Sequence, residues 1–374
     1  MTDGTFSRDD ALHMQRALAL AEQALFVTSP NPRVGCVIVS ASGEVIGEGH
    51  TQAAGQAHAE IMALRAASQA GHDTRGATAY VTLEPCSHQG RTGPCCDALV
   101  HAGIARVVAS LVDPNPAVAG QGLARLQAAG VHVQVGLGEA AARERNMGFF
   151  KRMTQGRPWV RLKAATSLDG QTALTNGVSQ WITSDAARTD GHAWRARACA
   201  VLTGIGTVLE DDPQLDVRAV DTPRQPTLVV VDSQLQTPPT AKLFQTRHPR
   251  PIWIYCATAN PERKAALQAL GAEVIELPNA HGKVDLAQLL DDLARRQINE
   301  LHIEAGHKLN GSWLREGLVD ELLLYQAPML LGQGRGLTQL GPYEALSQGV
   351  ALTWHDVQRV GNDLRILARV LSPR

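Results

Sequence analysis

The sequence predicts an α/β protein built from two domains, and three observations lead to that prediction. At 374 residues, the chain is longer than a single domain usually is. A hairpin signal near its start is followed by strands that alternate with helices, which is typical of a sheet with helices packed on it. This rhythm breaks at residues 148–157, and a second α/β series then begins. We therefore predict one domain at residues 1–150 and another at residues 151–374.

The first series opens with an amphipathic helix at residues 9–26, for which Asp9 or Asp10 provides a start signal. The turn TSPNPRVG follows, because two prolines and an asparagine interrupt regular structure. Gly71 is suited to end the helix that contains His58. The other predicted elements are strands at 34–40 and 44–50, a helix at 58–71, a strand at 77–84, a helix at 94–103, a strand at 105–112, a helix at 122–130 and a strand at 131–136.

The second series has the same alternation of apolar strands and helices, and it contains no internal repeat. The segment SLDGQTAL at its start is predicted to be a loop. In chain order the elements are a strand at 159–166, the loop at 167–174, a helix near 184–198, strands at 198–204, 227–232 and 251–256, a helix at 261–271, a strand at 273–277, a helix at 285–297, a strand at 300–306, a helix at 311–317 and a strand at 319–328.

Charge and cysteine content narrow the class of protein. Lys and Arg together number 35 and Asp and Glu 36, so no broad positive surface for nucleic acid or an anionic membrane is expected. Six cysteines are too few for a disulfide scaffold, and three of them fall within residues 86–96, which favours metal binding. We expect neither a secretion signal nor a membrane span, because the first residues lack a basic start and no run of about 18 apolar residues occurs. The cytoplasm is the expected compartment.

A zinc-binding pattern stands out in the first domain. A zinc deaminase needs one imidazole, two thiolates and an open position for water, together with a carboxylate that moves protons without binding the metal. His58 and Glu60 form a His-x-Glu pair on a predicted helix, where their side chains point in different directions. Cys86 follows a strand, and Cys95 begins a helix whose dipole stabilises a thiolate. We predict His58, Cys86 and Cys95 as zinc ligands and Glu60 as the catalytic proton carrier.

Two of these assignments have competitors. Cys96 could replace Cys95, which is favoured because Pro94 precedes it. His50 could replace the predicted imidazole ligand, but no Glu lies two residues after it. His50 is therefore better suited to face the substrate or to cap a strand end.

The spacing between the two cysteines also departs from the general P-C-x-x-C signature, because eight residues separate them. That insert carries His88 and Arg91, which are candidate substrate contacts. A purely structural zinc site would need a fourth protein ligand, such as Cys96 or His88.

The second domain carries glycine patterns that do not complete a nucleotide-binding motif. Gly204 and Gly206 follow a strand, but Leu209 stands where a third Rossmann glycine would be needed. Residues 306–312, GHKLNGS, have two glycines in Walker spacing without the following lysine. Backbone N–H groups at such strand-to-helix turns can hold a cofactor's phosphates, although each turn could equally be a helix start without a ligand.

Segments from both halves of the chain resemble one known family. TSPNPRVGCVIV, GEGHTQAAGQAHAE, TLEPCSHQGRTGPC and VDPNP are together similar to the bifunctional riboflavin biosynthesis proteins, in which a pyrimidine deaminase is fused to a reductase. RLKAATSLDGQTAL, SQWITSDAAR, LTGIGTVLEDDPQLDVR, VVVDSQLQTP and HIEAGHKLNGSWLREGLVDELLLYQAPMLLG are similar to the reductase half. The resemblance spans residues 8–370, and the eight-residue cysteine spacing is normal in this family.

The resemblance implies a fold and two reactions. It implies a cytidine-deaminase-like three-layer domain followed by a dihydrofolate-reductase-like α/β domain. The first would use zinc to deaminate 2,5-diamino-6-ribosylamino-4(3H)-pyrimidinone 5′-phosphate. The second would use NADPH to reduce the ribosyl side chain to ribityl. It further implies a small-molecule substrate, no nucleic-acid or membrane partner, and a homo-oligomer, either a dimer or a tetramer.

The resemblance also implies site residues. By chemistry rather than by resemblance, Asn31 in the Pro-Asn-Pro turn is expected to hydrogen-bond the pyrimidine edge, with plain turn geometry as the alternative. Lys163 and Asp211 are likewise candidates for proton handling at the sugar. NADPH contacts are expected at Ala165, Trp181, Thr207, Asp211, Ser233, Gly306, His307, Lys308, Leu309, Asn310, Gly311 and Ser312. Substrate contacts are expected at Ser179, Arg195, Leu215, Arg218 and Glu304, in addition to Asn31 and His50.

The chemistry of three of these side chains suits the expected contacts, and each also has a common structural role. Arg195 and Arg218 could hold the substrate phosphate in bidentate fashion, although an arginine is usually a solvated surface charge. Trp181 could stack on a ring, although a tryptophan is more often part of a core. The alternative function is a nucleic-acid or nucleoside base deaminase with an accessory nucleotide-binding domain, and the missing basic excess argues against it.

Overall fold

The computed structural model of the chain describes residues 6–87, 93–116 and 118–371. These residues form two compact units that divide between Gly156 and Arg157. The division falls slightly after the predicted boundary because a helix runs from Met147 to Gln155 and ends at Gly156, whose left-handed φ of 69° suits a glycine. No helix in the described ranges combines the length and the hydropathy that crossing a membrane requires.

Unit 1 contains the predicted hairpin and the predicted alternation, with two further helices before the boundary. Its first helix has a capping box in which Ser7 and Asp10 exchange side-chain and backbone hydrogen bonds. In chain order its elements are α1 (Arg8–Gln23), β1 (Gly35–Val39), β2 (Val45–His50), α2 (Ala59–Gln69), β3 (Thr78–Val81), α3 (Cys95–His101), β4 (Arg106–Ala109), α4 (Gln121–Ala128), β5 (His132–Val135), α5 (Glu139–Arg145) and α6 (Met147–Gln155).

The sheet of unit 1 has the strand order β2-β1-β3-β4-β5 and is covered by helices on both faces. The hairpin strands are antiparallel, whereas β3, β4 and β5 are parallel. A Cβ atom added to Gly35 would lie 1.9 Å from the carbonyl oxygen of Ala17 on α1. One added to Gly49 would lie 2.6 Å from the carbonyl oxygen of Ala59 on α2. Glycines therefore let both helices approach the hairpin closely.

Unit 2 contains a larger α/β fold in which most strands are parallel. In chain order its elements are β6 (Trp159–Thr166), β7 (Gln171–Leu174), α7 (Asp185–Arg197), β8 (Ala200–Gly204), α8 (Ile205–Asp211), β9 (Thr227–Val231), β10 (Ile252–Cys256), α9 (Pro261–Ala269), β11 (Ala272–Glu276), α10 (Leu286–Arg295), β12 (Glu300–Ile303), α11 (His307–Arg315), β13 (Glu321–Gln326), β14 (Gly334–Gly336), β15 (Leu352–Val360) and β16 (Asp363–Val370), with short 3₁₀ turns at Lys242–Phe244 and Leu346–Gln348.

The main sheet of unit 2 has the strand order β11-β10-β9-β8-β12-β6-β13-β16-β15. The first seven strands of that order are parallel, and the final hairpin adds two antiparallel strands at one edge. The strands β7 and β14 pair separately. The prediction of an α/β fold is thus confirmed for both units.

Several details of unit 2 differ from the sequence-based prediction. The predicted loop at 167–174 contains β7, and α8 and the hairpin β15–β16 were not predicted. The helix expected at 311–317 begins earlier, at His307, so Gly311 lies within it rather than at its start. A Cβ atom at Gly311 would lie 2.3 Å from the carbonyl oxygen of Gln339, so the glycine permits a close approach there.

A polar layer lies within the core of unit 2. Arg161 on β6 pairs with Glu300 on β12 at 3.2 Å and with Glu321 on β13, and these three side chains are only 2% exposed. Arg197 pairs with Glu300 at 2.9 Å, and Arg369 pairs with Glu321 at 3.1 Å. The polar layer, defined by these five residues, ties three adjacent strands together by charge.

Candidate active sites

Three elements of unit 1 bring the predicted zinc ligands together. His58 is the residue immediately before α2, with an extended backbone, and Cys95 is the first residue of α3. Cys86 lies on the loop after β3, and its sulfur accepts a hydrogen bond from the backbone N–H of Cys95 at 3.4 Å. The strand end and the two helix starts therefore meet at one point of the fold.

The distances among these side chains fit a tetrahedral zinc site. The sulfurs of Cys86 and Cys95 lie 3.5 and 3.4 Å from Nδ1 of His58. A nitrogen and a sulfur bonded to one tetrahedral zinc, at about 2.0 and 2.3 Å, are themselves about 3.5 Å apart. The three ligand atoms all lie within 4.8 Å of one another, and no fourth His, Cys or carboxylate of the described residues joins them. Among the described residues, which do not include the possible fourth ligand His88, the arrangement matches three protein ligands and one open position.

The competing ligands lie elsewhere. The Cys96 sulfur is directed to Oδ1 of Asp97 at 3.7 Å and is not part of the cluster. His50 ends β2 outside the cluster, and burial lowers the pKa of its ring. His88 and Arg91, the candidate contacts within the insert, lie outside the described residues.

The two sulfurs differ in how readily they lose a proton. Hydrogen bonds from Cys95 and His58 lower the pKa of the Cys86 thiol to about 4, against the effect of its burial. The neighbouring Cys86 thiolate, together with burial, raises the pKa of Cys95. One sulfur is therefore a ready thiolate ligand, and a cation at this point would favour the second thiolate as well.

Glu60 lies beside the cluster without belonging to it. Its side chain is buried, and burial together with the charge of Cys86 raises the pKa of its carboxyl to about 7. A group with such a pKa can both accept and release a proton near neutral pH. Asn31 lies in the turn after α1, where its N–H donates to the carbonyl of Thr28 at 2.7 Å.

Sequence reasoning missed Glu84, which positions the loop that bears Cys86. The buried Glu84 carboxylate accepts backbone N–H bonds from Asp113 at 3.0 Å, Gly120 at 2.9 Å, Gly122 at 2.8 Å and Leu123 at 3.3 Å. It thereby fixes the start of α4 against the end of β3. Its position two residues before Cys86, within the resemblance motif TLEPC, was the available signal.

Unit 2 contains a cavity of about 1460 Å³. Nearly all residues predicted to contact NADPH or the reductase substrate line it, whereas Gly311 does not. The predicted residues in its wall are Lys163, Ala165, Ser179, Trp181, Arg195, Thr207, Asp211, Leu215, Arg218, Ser233, Glu304, Gly306, His307, Lys308, Leu309, Asn310 and Ser312.

Glu304 is the centre of a charged cluster in this cavity. Arg195 binds its carboxylate through Nε and through Nη2, the latter at 2.9 Å. Lys163 Nζ lies 3.5 Å and His302 Nε2 3.4 Å from the same carboxylate. Burial opposes ionisation of Glu304, but the charges of Arg195 and Lys163 lower its pKa well below the usual range. Glu304 is therefore an oriented carboxylate that stays ionised.

This pairing alters the expectation for Arg195. Its third nitrogen, Nη1, donates to the carbonyl of Asp216 at 3.0 Å, so every nitrogen of the guanidinium has a protein partner. The geometry holds Arg195 against Glu304, and Nη1 and Nη2 each carry a second N–H that these three bonds do not use. Arg218 remains suited to an anion, because its side chain is 53% exposed and bonds the Asp216 carboxylate through one nitrogen only, at 2.6 Å.

Two further predicted residues have distinct environments. Trp181 is 65% exposed in the cavity wall, with the guanidinium of Arg188 4.5 Å from its ring centre. It is available for stacking and is not a core residue. Asp211 is the last residue of α8, and burial, with the charge of Glu210, raises the pKa of its carboxyl.

The chain matches two known protein families. Residues 7–111 match the cytidine and deoxycytidylate deaminase zinc-binding region. Residues 158–366 match the RibD C-terminal domain. The two matches fall on the two structural units in turn.

Similar proteins cover almost the whole chain. The riboflavin biosynthesis protein RibD of Escherichia coli (strain K12) is 46% identical, over 95% of this chain and 98% of that protein. RibD of Acinetobacter baumannii has a structure with a TM-score of 0.88 and 41% identity, covering 98% of this chain and 99% of that one. A deaminase/reductase structure from Thermotoga maritima gives a TM-score of 0.86 at 31% identity, covering 97% of this chain and 99% of that one.

Proposed function

We propose roles in two reactions for residues of this chain, which belongs to the family of the riboflavin biosynthesis protein RibD. It is a bifunctional enzyme of riboflavin biosynthesis that uses zinc and NADPH. It deaminates 2,5-diamino-6-ribosylamino-4(3H)-pyrimidinone 5′-phosphate by hydrolysis and reduces the ribosyl side chain of the product, giving 5-amino-6-ribitylaminouracil 5′-phosphate. The observation that carries this conclusion is 46% identity over 98% of a RibD protein.

We assign deamination to unit 1 and reduction to unit 2. In unit 1 the zinc ligands are His58 Nδ1 and the sulfurs of Cys86 and Cys95. Their mutual distances, which suit co-ligands of one tetrahedral ion, support this assignment. The similarity to RibD extends over both units, which argues against a nucleic-acid base deaminase.

Glu60 moves the protons of the first reaction. Bound zinc would supply a Lewis acid that makes water acidic near neutral pH. Glu60 takes one proton from the attacking water and passes protons to the departing amine, so that an exocyclic C–NH2 becomes C=O and ammonia leaves. Its burial beside the ligands, with a pKa of about 7, supports a group that takes up and releases protons in turn.

In unit 2 the cavity holds cofactor and substrate side by side. We assign NADPH contacts to Ala165, Trp181, Thr207, Asp211, Ser233 and the Gly306–Ser312 segment. Within that segment Gly311 does not line the cavity and instead lets the chain at Gln339 approach closely. We assign substrate contacts to Ser179, Leu215, Arg218 and Glu304, and a positioning role to Arg195. Asn31 and His50 are proposed as substrate contacts in unit 1.

The second reaction needs one hydride and one proton. Conversion of the ribosyl ring to an open ribityl chain breaks the C1′–O4′ bond, adds hydride at C1′ and adds a proton at O4′. NADPH supplies the hydride when bound. Lys163, whose ammonium is held 3.5 Å from Glu304, is the proposed proton donor to O4′, with Asp211 as the second candidate.

The test follows the two products separately. The zinc-loaded protein is incubated with the diaminopyrimidine ribosyl phosphate, with and without NADPH. We expect ammonia release in both samples and NADPH oxidation only after deamination. NADPH oxidation without ammonia release, or neither, would contradict the assignment of two consecutive reactions.

We further propose that the protein acts in the cytoplasm as a homo-oligomer. The zinc site requires free thiols, which a reducing compartment maintains. The edge strand β15 exposes Trp354 (69%) and Val357 (52%), and such an edge is suited to pairing with a second copy. Light scattering should show a dimer or tetramer that Trp354→Asp weakens, and a wild-type monomer at all concentrations would contradict this proposal.

A further inference from the structure

We infer that His192 contacts the reductase substrate, with its Nε2–H donating a hydrogen bond to an oxygen of the ribosyl phosphate. This rests on the proposed reductase function of unit 2 and adds a residue to its substrate site. His192 lies on α7, is 9% exposed and belongs to the wall of the cavity.

The hydrogen bonds of His192 select one form of its ring. The backbone N–H of Arg218 points to Nδ1 at 3.4 Å, so Nδ1 acts as the acceptor. A neutral imidazole that accepts at Nδ1 carries its proton on Nε2. Burial, aided by the charges of Arg195 and Arg218, lowers the pKa of His192 to about 4, which keeps the ring neutral.

The Nε2–H group has no hydrogen-bond partner among the described residues. Because His192 is part of the cavity wall, this donor is available to a molecule that occupies the cavity. A substrate oxygen that accepts this donor would replace the water that otherwise bonds it, so an oxygen of the substrate is the expected partner.

The neighbours of His192 indicate which part of the substrate it meets. Arg195 lies one turn further along α7 and is committed to Glu304 and to the Asp216 carbonyl. Arg218 pairs with the Asp216 carboxylate but keeps donors free for an anion. Around His192 the cations are thus largely balanced by carboxylates, and its neutral N–H adds an uncharged donor beside them. An anionic phosphate oxygen, or a hydroxyl beside it, suits this position.

The test compares two replacements that differ in reach. His192→Asn keeps an acceptor near the position of Nδ1 and loses the Nε2 donor, whereas His192→Gln can place an N–H close to the position of Nε2. We expect Asn to raise the reductase KM for the deaminated pyrimidine ribosyl phosphate about tenfold. Under the same conditions kcat, the KM for NADPH and the deamination rate stay near wild type, and Gln recovers most of the lost affinity. The exposed His248, which lies outside the cavity wall, provides the control His248→Asn.

A measurement on the wild-type protein does not depend on folding of the variants. Nitrogen NMR should show His192 as the neutral Nε2–H form and should show its Nε2 resonance move when the deaminated substrate is added without NADPH. A neutral Nδ1–H form, an unmoved resonance, or an Asn variant with unchanged substrate KM would overturn the inference while leaving the reductase function intact. A wild-type protein that does not oxidise NADPH with this substrate would instead refute the function, and the inference with it.

Discussion

Replacement of Arg195 by lysine separates two roles that the residue could have in reduction. The guanidinium binds the Glu304 carboxylate through two nitrogens and the Asp216 carbonyl through the third. Lysine keeps the positive charge but cannot reproduce the planar fork. If Arg195 orients Glu304, Arg195→Lys should lower kcat and change the substrate KM little.

The size of the effect follows from the bonds that are lost. Hydrogen bonds to charged groups contribute roughly 1.5–3 kcal/mol each. Lysine can restore one of the two bonds to Glu304 as a point charge, so about 2 kcal/mol of orientation is lost. If that orientation matters only in the transition state, kcat falls roughly 30-fold.

The assay is steady-state oxidation of NADPH with the deaminated substrate, with ammonia release as the readout for unit 1. Arg296→Lys is a matched control, because Arg296 forms a bidentate pair with Glu273, with both distances 2.7 Å, on the surface of the same unit. The control should keep the wild-type kcat. If Arg195→Lys instead left kcat unchanged and raised the substrate KM, Arg195 would be a phosphate ligand and the reasoning would be wrong.

Three more predictions concern unit 1. Glu60→Gln should retain zinc but lower the deamination rate about 100- to 10,000-fold, because the proton carrier is lost, as metal analysis and ammonia release can show. Glu84→Gln should destabilise unit 1 by about 3 kcal/mol in urea unfolding. The NH2 group of glutamine would face backbone N–H groups that donate to the carboxylate in the wild-type protein, and two donors cannot bond each other. Hydrogen bonds from Arg106, and also from Tyr80, lower the pKa of Asp10. The ionised Asp10 carboxylate therefore stabilises the folded unit above pH about 5, and this contribution is lost as the pH falls. Asp10→Asn should therefore cost about 2 kcal/mol at pH 7 and flatten the acid dependence of unfolding.

Each of these variants has an outcome that would contradict it. Full deaminase turnover by Glu60→Gln at normal zinc content would show that Glu60 is not the proton carrier. Glu139→Gln, at an exposed carboxylate of the same unit that pairs with Arg143, is the stability control. A Glu84 variant as stable as that control, or an Asp10 variant with the wild-type acid dependence, would show that these buried bonds contribute little.

The sequence predicted those parts of the site whose signals are local. His58 and Glu60 are two residues apart, and the cysteine segment is short, so spacing on a helix and at a strand end was sufficient to select the three residues that the structure brings together. The choice of Cys95 over Cys96 required only the recognition that Pro94 begins a helix. The alternation of strands and helices likewise gave the fold class for both units.

The remainder depends on contacts between distant segments. Arg195 on α7 and Glu304 after β12 are 109 positions apart, and only the fold brings them together. Neither residue carries a mark of that pairing, so the sequence indicated a phosphate contact for Arg195 and not its bonds to Glu304. The hairpin β15–β16 was missed because β15 is exposed on both faces and lacks the alternation that identifies a half-buried strand.

The polar layer of unit 2 constrains any effort to engineer a sturdier enzyme. Its three guanidinium groups and two carboxylates share partners, so neutralising any single member unbalances the charge that its neighbours share in a largely buried layer. Mutant libraries that sample these five codons one at a time should yield almost only losses. Variants in which apolar side chains replace the whole group together are the ones that could survive selection.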